Sequence, residues 1–440
     1  MKATPVTDER DARRALEAVD DLRDAIIRLS QTLIRFDSVN QPPWGNEGPC
    51  QAFVAGQLRE LGLQVDTFTP DEVPGIQDDP AYLPGRDYTD RPNVVGVLKG
   101  SGSGRSLHLT AHADVVPIGE RSDWTVEPFG GEIIDGKIYG RGAIDDKDGL
   151  SGILGALHAL RRAGIRLRGD LIVSSSVDEE FAGSNGLLAV VRTGYLGDAA
   201  INCDGLQFLL WTANTGGGPF RVLIQSRADA PQPTPSMCRV RAACRDALAA
   251  LSREWRARYW PHPLYPPGTP WIMRKEPIEV KDWEEGLANW NWQSHGPACG
   301  VGGYATTLPG QDRNQAKAEI VDAVERAYAS CDAPEVYPPC VEWVYRFMDA
   351  CAVPVDEPII ATVREAYHRV TGQTTRLEGG PRSDLNLLVL HGKVPTVSFG
   401  AGAAIFGRYA AHGPDERIDI ETELIPYVKT LALAVIEWCG

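Results

Sequence analysis

The sequence predicts an α/β fold with a mostly parallel sheet, interrupted by an inserted α+β domain. Short apolar runs suited to buried strands alternate with amphipathic helical patterns, which is typical of βαβ units. This alternation stops near residue 217 and resumes near residue 350. A chain of 440 residues is also longer than one hydrophobic core usually spans. We therefore predict a discontinuous catalytic α/β domain, 1–217 and 349–440, and an inserted lid domain over 218–348.

The individual elements follow from the spacing of apolar residues. Helices are predicted where apolar residues recur every three or four positions, at 16–33, 47–62, 149–164, 313–330, 356–371 and 421–438. Buried strands are predicted where apolar runs are short, at 93–98, 107–111, 171–177, 341–347 and 394–400. Residues 70–92 are rich in Pro, Asp and Gly and predict a long surface loop.

Charge and cysteine content narrow the class of protein. The net charge of −15 disfavours binding to nucleic acid and to anionic lipid. The N-terminal segment has no apolar stretch before its acidic residues, so it does not predict a signal peptide. The nine cysteines form no CxxC pair, which favours reduced thiols in the cytosol. We expect a soluble cytoplasmic protein without a membrane or nucleic-acid partner.

Metal-type ligands cluster in segments that follow predicted strands or open predicted helices. These segments are HLTAHADVVP, GRGAIDDKDG, SSSVDEEFAGSNG, INCDG and RYAAHGPDE, and they contribute His112, Asp114, Asp145, Asp146, Asp178, Glu179, Glu180, Asp204 and His412. In an extended segment alternate residues share a face, so the side chains of His112 and Asp114 point the same way. A carboxylate beside a ligating histidine commonly accepts its other ring N–H.

Taken singly, each of these segments is more typical of a solvated loop than of a site. Together they place two histidines and several carboxylates at the carboxyl ends of strands, where α/β sheets bind their ligands. These side chains suit divalent cations, Zn²⁺ among them. A carboxylate that is not needed as a ligand can serve as a general base.

The motifs HADVVP, GRGAIDDKDG, DEEFAGSNG and GGPRSD…SFGAG…AAHGPDERI occur in this order. In this arrangement the chain resembles the co-catalytic zinc aminoacylase and carboxypeptidase family. That family includes acetylornithine deacetylase, succinyl-diaminopimelate desuccinylase, carboxypeptidase G and carnosine dipeptidases. The resemblance covers about 20–217 and 349–438, and the position of 218–348 matches the family's lid and dimerisation domain. It implies a homodimer formed through that domain.

The resemblance also implies a dinuclear site. Asp145 would bridge two divalent ions, with Zn²⁺ expected first and Mn²⁺ or Co²⁺ as alternatives. The remaining roles would be His112 and Asp204 on one ion, Glu180 and His412 on the other, Glu179 as general base and Asp114 as the partner of His112.

The inserted domain departs from the family pattern. A histidine in a G-x-x-x-H stretch is expected after its first strand, but RVLIQ is followed by SRADAPQPTP, which has none. His262 and His295 are candidates to replace it. Where the family places a carboxylate-binding arginine, the run YATTLPG has Thr306. Arg382 in GGPRSD remains available as an anion clamp.

Six of the eleven tryptophans fall within 255–292. Core packing of the lid is one interpretation of this concentration, and an aromatic wall for a flat substrate is the other.

Three functions are compatible with these features. The first is metal-dependent hydrolysis of a C–N bond, most often the amide of an N-acyl amino acid or a small peptide. The second is hydrolytic removal of an amino group from an aromatic acid or arylamine, which the altered lid favours. The third is a non-enzymatic protein that keeps the fold. The presence of Glu179 together with every expected ligand argues against the third.

Overall fold

The structure is a computed structural model that describes residues 9–181, 185–227, 233–260, 262–266, 276–282, 299–344, 346–402 and 407–440. The chain forms two compact units, one built from 1–212 and 353–440 and the other from 213–352. The second unit begins five residues before and ends four residues after the predicted inserted domain. We describe each unit by itself.

The first unit contains eight helices among its described residues. They are α1 (Glu9–Asp21), α2 (Arg23–Ile34), α3 (Gly48–Glu60), α4 (Lys147–Arg162), α5 (Asn185–Arg192), α8 (Pro358–Thr371), α9 (Leu385–Leu390) and α10 (Ile425–Cys439). Its strands are β1 (Asn40–Gln41), β2 (Trp44–Gly45), β3 (Gln64–Phe68), β4 (Asn93–Leu98), β5 (Leu107–His112), β6 (Glu132–Ile134), β7 (Lys137–Tyr139), β8 (Leu171–Ser176), β9 (Ala199–Asn202), β10 (Leu210–Asn214), β16 (Leu377–Gly380), β17 (Thr396–Ser398) and β18 (Arg417–Asp419).

The main sheet of this unit has the strand order β10-β17-β9-β5-β8-β4-β3, and β16 also pairs with β10. The four strands β17, β9, β5 and β8 are mutually parallel and lie at its centre. Strands β10 and β4 run antiparallel to these four, and the edge strand β3 runs antiparallel to β4. The central strands β5, β8 and β9 are buried along their whole length, which explains why they lack the alternation of apolar and exposed polar residues seen in half-exposed strands. The α/β prediction is confirmed.

Helices α4 and α10 show how the sheet is covered. α4 begins after Asp146 and ends before Gly164, whose φ of +65° is readily adopted by glycine. α10 packs against α1, α4 and α8, so nearly all of its residues are buried. The long helix predicted at 16–33 is instead two helices, α1 and α2, separated at Leu22.

The segment 70–92 is not the surface loop that its composition predicts. It contains two short 3₁₀ turns, Pro70–Glu72 and Ile76–Asp78, and it buries several of its side chains. Ile76, Tyr88 and Arg91 are at most 2% exposed. Pro, Asp and Gly set the turns correctly, but the apolar and aromatic residues between them are too few to show a period.

The second unit is an α+β layer. Its strands are β11 (Gly216–Leu223), β12 (Ile278–Asp282), β13 (Gly300–Thr307), β14 (Cys340–Trp343) and β15 (Cys351–Ala352), and its described helices are α6 (Pro235–Tyr259) and α7 (Arg313–Ala329). The sheet order β12-β13-β11-β14 is antiparallel throughout. Apolar residues of α6 and α7 pack on this sheet around Phe220, Trp255 and Ile320.

None of the helices within the described ranges combines the length and the apolar character that crossing a bilayer requires.

Candidate metal centre

The predicted site residues meet at one edge of the parallel sheet. Strands β5, β8 and β9 run in the same direction, so the residues that follow them emerge together. His112 ends β5, and Glu179 and Glu180 follow β8 by a short turn. Asp204 follows β9 by two residues. The sheet topology therefore brings together the side chains that the sequence analysis selected.

Asp145 lies between two histidines that come from distant parts of the chain. His112 Nε2 is 3.0 Å from Asp145 Oδ1, and His412 Nε2 is 3.0 Å from Asp145 Oδ2. Each carboxylate oxygen thus faces a different imidazole nitrogen. This is the arrangement required of a carboxylate that is shared by two cations.

Glu180 completes the group on the His412 side. Its Oε2 lies 2.9 Å from His412 Nε2, and ligand atoms of His112, Asp145 and Glu180 all lie within 4.8 Å of one another. The other carboxylate oxygen of Glu180, Oε1, is buried and has no hydrogen-bond partner among the described residues. A buried carboxylate oxygen without a donor is costly unless a cation balances it.

The electrostatics of the two histidines fit a cation site. Burial disfavours the charged form of His112, but the carboxylates of Asp114 and Asp145 outweigh it and hold its pKa well above the ordinary value. The side chain of His412 is half exposed, and desolvation opposes its protonation, but Glu180 and Asp145 raise its pKa well above the ordinary value. A site that draws protons onto two adjacent imidazoles also attracts metal cations, and imidazole with carboxylate is a donor set that suits Zn²⁺.

Glu179 and Asp204 are acids in the same electrostatic environment. Burial raises the pKa of Glu179 well above its usual range, and the charges of Asp384 and Asp204 add to the effect. Burial, followed by the charge of Asp145, raises the pKa of Asp204 to about 7. Asp384 was not selected from the sequence. It is buried, and it accepts a hydrogen bond from Ser176 Oγ at 3.3 Å.

Asp114 contacts His112 differently from what the sequence suggested. The main-chain carbonyl of Asp114, rather than its carboxylate, accepts from His112 Nδ1 at 2.9 Å. The nearer carboxylate oxygen is 3.6 Å from that nitrogen. The carboxylate instead accepts from the backbone N–H groups of Glu179 and Glu180, each at 3.1 Å. Asp114 therefore holds both the histidine and the turn that carries the two glutamates.

The sequence matches a known family of metal-dependent hydrolases. Residues 108–437 match the model of Peptidase family M20/M25/M40, a span that includes every candidate ligand. The chain belongs to Peptidase family M20/M25/M40. As a member of this metallopeptidase family it is a hydrolase that acts on C–N bonds, which confirms the functional class predicted from the sequence.

The chain is similar in sequence to a deformylase and in fold to two peptidases. The chain is 26% identical to N-formyl-4-amino-5-aminomethyl-2-methylpyrimidine deformylase of Bacillus subtilis (strain 168), over 96% of each chain. Its fold is similar to that of the di-peptidase Dug1p from Saccharomyces cerevisiae, with a TM-score of 0.73, 16% identity and coverage of 98% of this chain and 99% of that one. It is also similar to the Bacillus subtilis YXEP protein, described as a dinuclear metal binding peptidase from the M20 family. The TM-score of this second comparison is 0.60, the sequence identity is 15%, and the match covers 95% of this chain and 98% of the YXEP chain.

A buried ion pair that the sequence analysis missed joins the two halves of the site. Arg141 Nη1 donates to Glu416 Oε2 at 2.6 Å and to the carbonyl of Gly413, while its Nη2 donates to the carbonyl of His412. The other oxygen of Glu416 accepts from the backbone N–H groups of Ile144 and Asp145 at 2.8 and 3.1 Å. Arg141 and Glu416 lie inside two of the quoted motifs, and that position was the available signal.

Arg382 lies in the turn between β16 and α9. Its Nη1 is buried and has no hydrogen-bond partner within the part of the chain that the structure describes. Asp384, two residues further on, is close enough to Glu179 and Asp204 to raise the pKa of both. The turn that carries Arg382 therefore borders the same edge of the sheet.

The lid residues singled out from the sequence are only partly described. Thr306 lies in β13 and is 6% exposed. Trp255 is fully buried in the core of the second unit, so core packing is the correct interpretation for this tryptophan. His295, half of the SRADAPQPTP run and Trp271, Trp283, Trp290 and Trp292 lie outside the described residues. His262 is described and contacts the ring of Tyr265.

Proposed function

We propose that this chain hydrolyses the amide bond of a small N-acylated amine with the help of two divalent metal ions. The observation that carries the proposal is the position of Asp145, whose two oxygens each lie 3.0 Å from a different histidine. In the proposed assignment Asp145 bridges the ions. His112 and Asp204 complete one set of ligands, and His412 and Glu180 complete the other. Zn²⁺ is the metal we expect first, with Mn²⁺ and Co²⁺ as alternatives.

The acid–base role falls to Glu179. When bound, two divalent ions lower the pKa of a water molecule and polarise the acyl carbonyl oxygen. Glu179 is next to the ligand Glu180, and burial raises its pKa well above the usual range for a glutamate. A carboxylate with a raised pKa can accept the proton of the attacking water and return it to the leaving nitrogen. Asp114 holds the backbone of this glutamate through the bond to its N–H.

The substrate class follows from what the lid lacks. Thr306 cannot clamp a carboxylate as an arginine would, and SRADAPQPTP supplies no histidine for the oxyanion. The similar deformylase is named for a substrate that combines an N-formyl group with a pyrimidine ring. Similarity over 96% of both chains supports an N-formyl or short N-acyl amide of an aromatic amine as the substrate of this chain too. Arg382 is the group we assign to any anionic substituent, because its Nη1 has no partner among the described residues.

We also propose that the enzyme is a cytoplasmic homodimer that assembles through the 213–352 unit. None of the nine cysteines forms a disulfide in the structure, which agrees with a reducing compartment. Light scattering would test the assembly, because one chain has a mass of 47.9 kDa and a dimer twice that. A single species at the mass of one chain would refute the dimer.

The central test separates the roles of the two adjacent glutamates. Glu179→Gln should leave two metal equivalents bound and lower kcat by about 10²- to 10⁴-fold, because it removes general acid–base catalysis. Glu180→Gln should lose about one equivalent. Glu127→Gln, an exposed substitution of the same type, is the control for both. Metal loss in the first variant with retention in the second would mean that the roles are reversed.

Substrate preference is measured on the metal-loaded enzyme with matched compounds. The panel contains N-formyl and N-acetyl derivatives of aminomethyl-pyrimidines and benzylamines, N-acetyl amino acids, dipeptides and free arylamines. We expect the highest kcat/KM for the aromatic amides. A preference for N-acetyl amino acids or dipeptides would refute the aromatic assignment and keep the amidase. Release of ammonia from arylamines with no amide cleavage would refute both.

A further inference from the structure

Two buried carboxylates flank the segment that carries Glu179 and Glu180. Asp178 comes directly before it, is fully buried, and has a φ of +66°, a left-handed conformation that is unusual for a residue other than glycine. Asp114 accepts from the backbone N–H groups of both glutamates. The direction in which the two glutamate side chains leave the backbone therefore depends on how these two aspartates are held.

Asn40 links the two aspartates. Its Nδ2 donates to Asp114 Oδ2 at 2.9 Å and to Asp178 Oδ1 at 3.1 Å. Both aspartates are fully buried and accept from the same amide nitrogen, so their two carboxylates lie close together. A neutral amide with two N–H donors binds one oxygen of each acid without adding charge. Asn40 itself is fully buried at the start of β1.

The orientation of the Asn40 amide is set by a second layer of groups. Arg91 Nη2 lies 3.4 Å from Asn40 Oδ1, which directs the N–H groups toward the aspartates. Arg91 is in turn held by two bonds to Glu47, at 2.6 and 2.7 Å. On the other side, Tyr88 Oη donates to Asp178 Oδ2 at 2.6 Å. These groups come from β1, from the start of α3 and from the 70–92 segment, so the described contacts connect that segment to the metal centre.

We infer that Asn40 and Tyr88 are positioning residues for the Glu179–Glu180 turn. Through Asp114 and Asp178 they fix the glutamate assigned as general base and the glutamate assigned as ligand. The inference rests on the roles proposed above for those two glutamates. Neither Asn40 nor Tyr88 is assigned contact with substrate or metal. Their effect on the reaction passes through the position of the turn.

The test uses substitutions that keep side-chain shape. Asn40→Asp replaces the donor by a third carboxylate between two others, so repulsion should displace the turn. Tyr88→Phe removes the donor to Asp178 and keeps the ring. We expect kcat to fall by about 10- to 100-fold with KM within about twofold, since displacing a reacting group by about 1 Å has effects of this size. The chelator concentration that removes half of the more weakly bound zinc equivalent should also be lower for both variants than for the wild type.

Two control substitutions have the same chemistry outside this network, at Asn46, which is exposed, and at Tyr82, which is partly buried. Asn46→Asp alters an asparagine whose Nδ2 donates to the carbonyl of Asp37. Tyr82→Phe removes a hydroxyl that donates to Asp71 at 3.1 Å. Neither should change kcat or the zinc–chelator competition. Thermal melting of the metal-free proteins reports folding, and if Asn40→Asp does not fold, Tyr88→Phe decides the question.

The Glu179→Gln variant is measured in the same series. If Glu179→Gln loses activity while Asn40→Asp and Tyr88→Phe match their controls in kcat and in zinc retention, the positioning inference is wrong and the proposed function stands. If Glu179→Gln keeps full activity, the proposed function fails, and the inference that depends on it fails as well. Loss of kcat at constant KM together with weakened zinc retention supports the inference.

Discussion

The Arg141–Glu416 pair offers a direct test of how the metal centre is built. Glu416 is fully buried, and its carboxylate makes three hydrogen bonds, one to Arg141 and two to the backbone N–H groups of Ile144 and Asp145. Arg141 also donates to the carbonyls of His412 and Gly413. The pair therefore joins the loop of one proposed ligand to the loop of another.

The substitution we choose is Glu416→Gln, which keeps the shape of the side chain and removes its charge. The glutamine has one acceptor oxygen, so it cannot satisfy both Arg141 and the two N–H groups. It loses one or two bonds that involve a charged group, each worth about 1.5–3 kcal/mol. It also leaves a buried guanidinium without its counter-charge, and breaking a buried pair in this way costs about 3–5 kcal/mol. The first estimate spans about 1.5–6 kcal/mol and the second about 3–5 kcal/mol, so we expect the free energy of unfolding to fall by roughly 3–5 kcal/mol.

The assay is urea denaturation of the metal-free protein, followed by zinc titration against a chelator. We expect a lower denaturation midpoint and weaker retention of both zinc equivalents, because Asp145 and His412 are held by the same pair. Glu421→Gln, which alters an exposed ion pair with Arg23, is the control and should not change either quantity. A loss of less than about 1 kcal/mol in Glu416→Gln, with unchanged zinc retention, would refute the view that this pair positions the ligands.

Two further predictions concern stability. Burial raises the pKa of Glu437 to about 7, although Arg369 opposes the shift. The stability that this residue contributes is therefore complete below its unfolded value of 4.5 and is lost as the pH rises through 7. The melting temperature of Glu437→Gln minus that of the wild type should therefore increase as the pH rises from about 5 to about 8. A decrease of this difference over the same range would contradict the prediction. Trp255→Ala should destabilise the 213–352 unit by about 3–5 kcal/mol because Trp255 is fully buried in its core, whereas Trp44→Ala, at a residue 65% exposed, should have little effect on urea denaturation.

The central strands could be predicted from the sequence because burial on both faces leaves short segments rich in apolar residues and free of charged ones. β4 has the predicted bounds, and β5 and β8 each differ from the prediction by one residue. The break between α1 and α2 could not be predicted. It falls at Leu22, where neither proline nor glycine interrupts the apolar pattern. A helix break without proline or glycine leaves no such signal in the local sequence.

The residues of the candidate site were found because their chemistry is concentrated in short motifs. Residues that support them were missed when they came from segments without a pattern. Asn40 stands before a turn, and Tyr88 and Arg91 lie in a stretch whose composition is that of a loop. Their role depends on burial against Asp178, a long-range contact that no local spacing encodes. The hydrogen bonds of the Asp114 carboxylate to the backbone of Glu179 and Glu180 were also missed, because these groups are more than sixty residues away in sequence.

The excess of acid at this edge of the sheet explains why the site needs cations. Burial raises the pKa of Glu179, Glu180 and Asp204, so the fold itself disfavours their charged forms. The carboxylate of Asp145 stays ionised by binding two histidines, whose own pKa values rise in return. Protons can therefore balance the charges only by occupying the nitrogen and oxygen atoms that would be ligands. Two divalent ions would balance the same charges and leave Glu179 able to accept a proton, which is the state that the proposed hydrolysis requires.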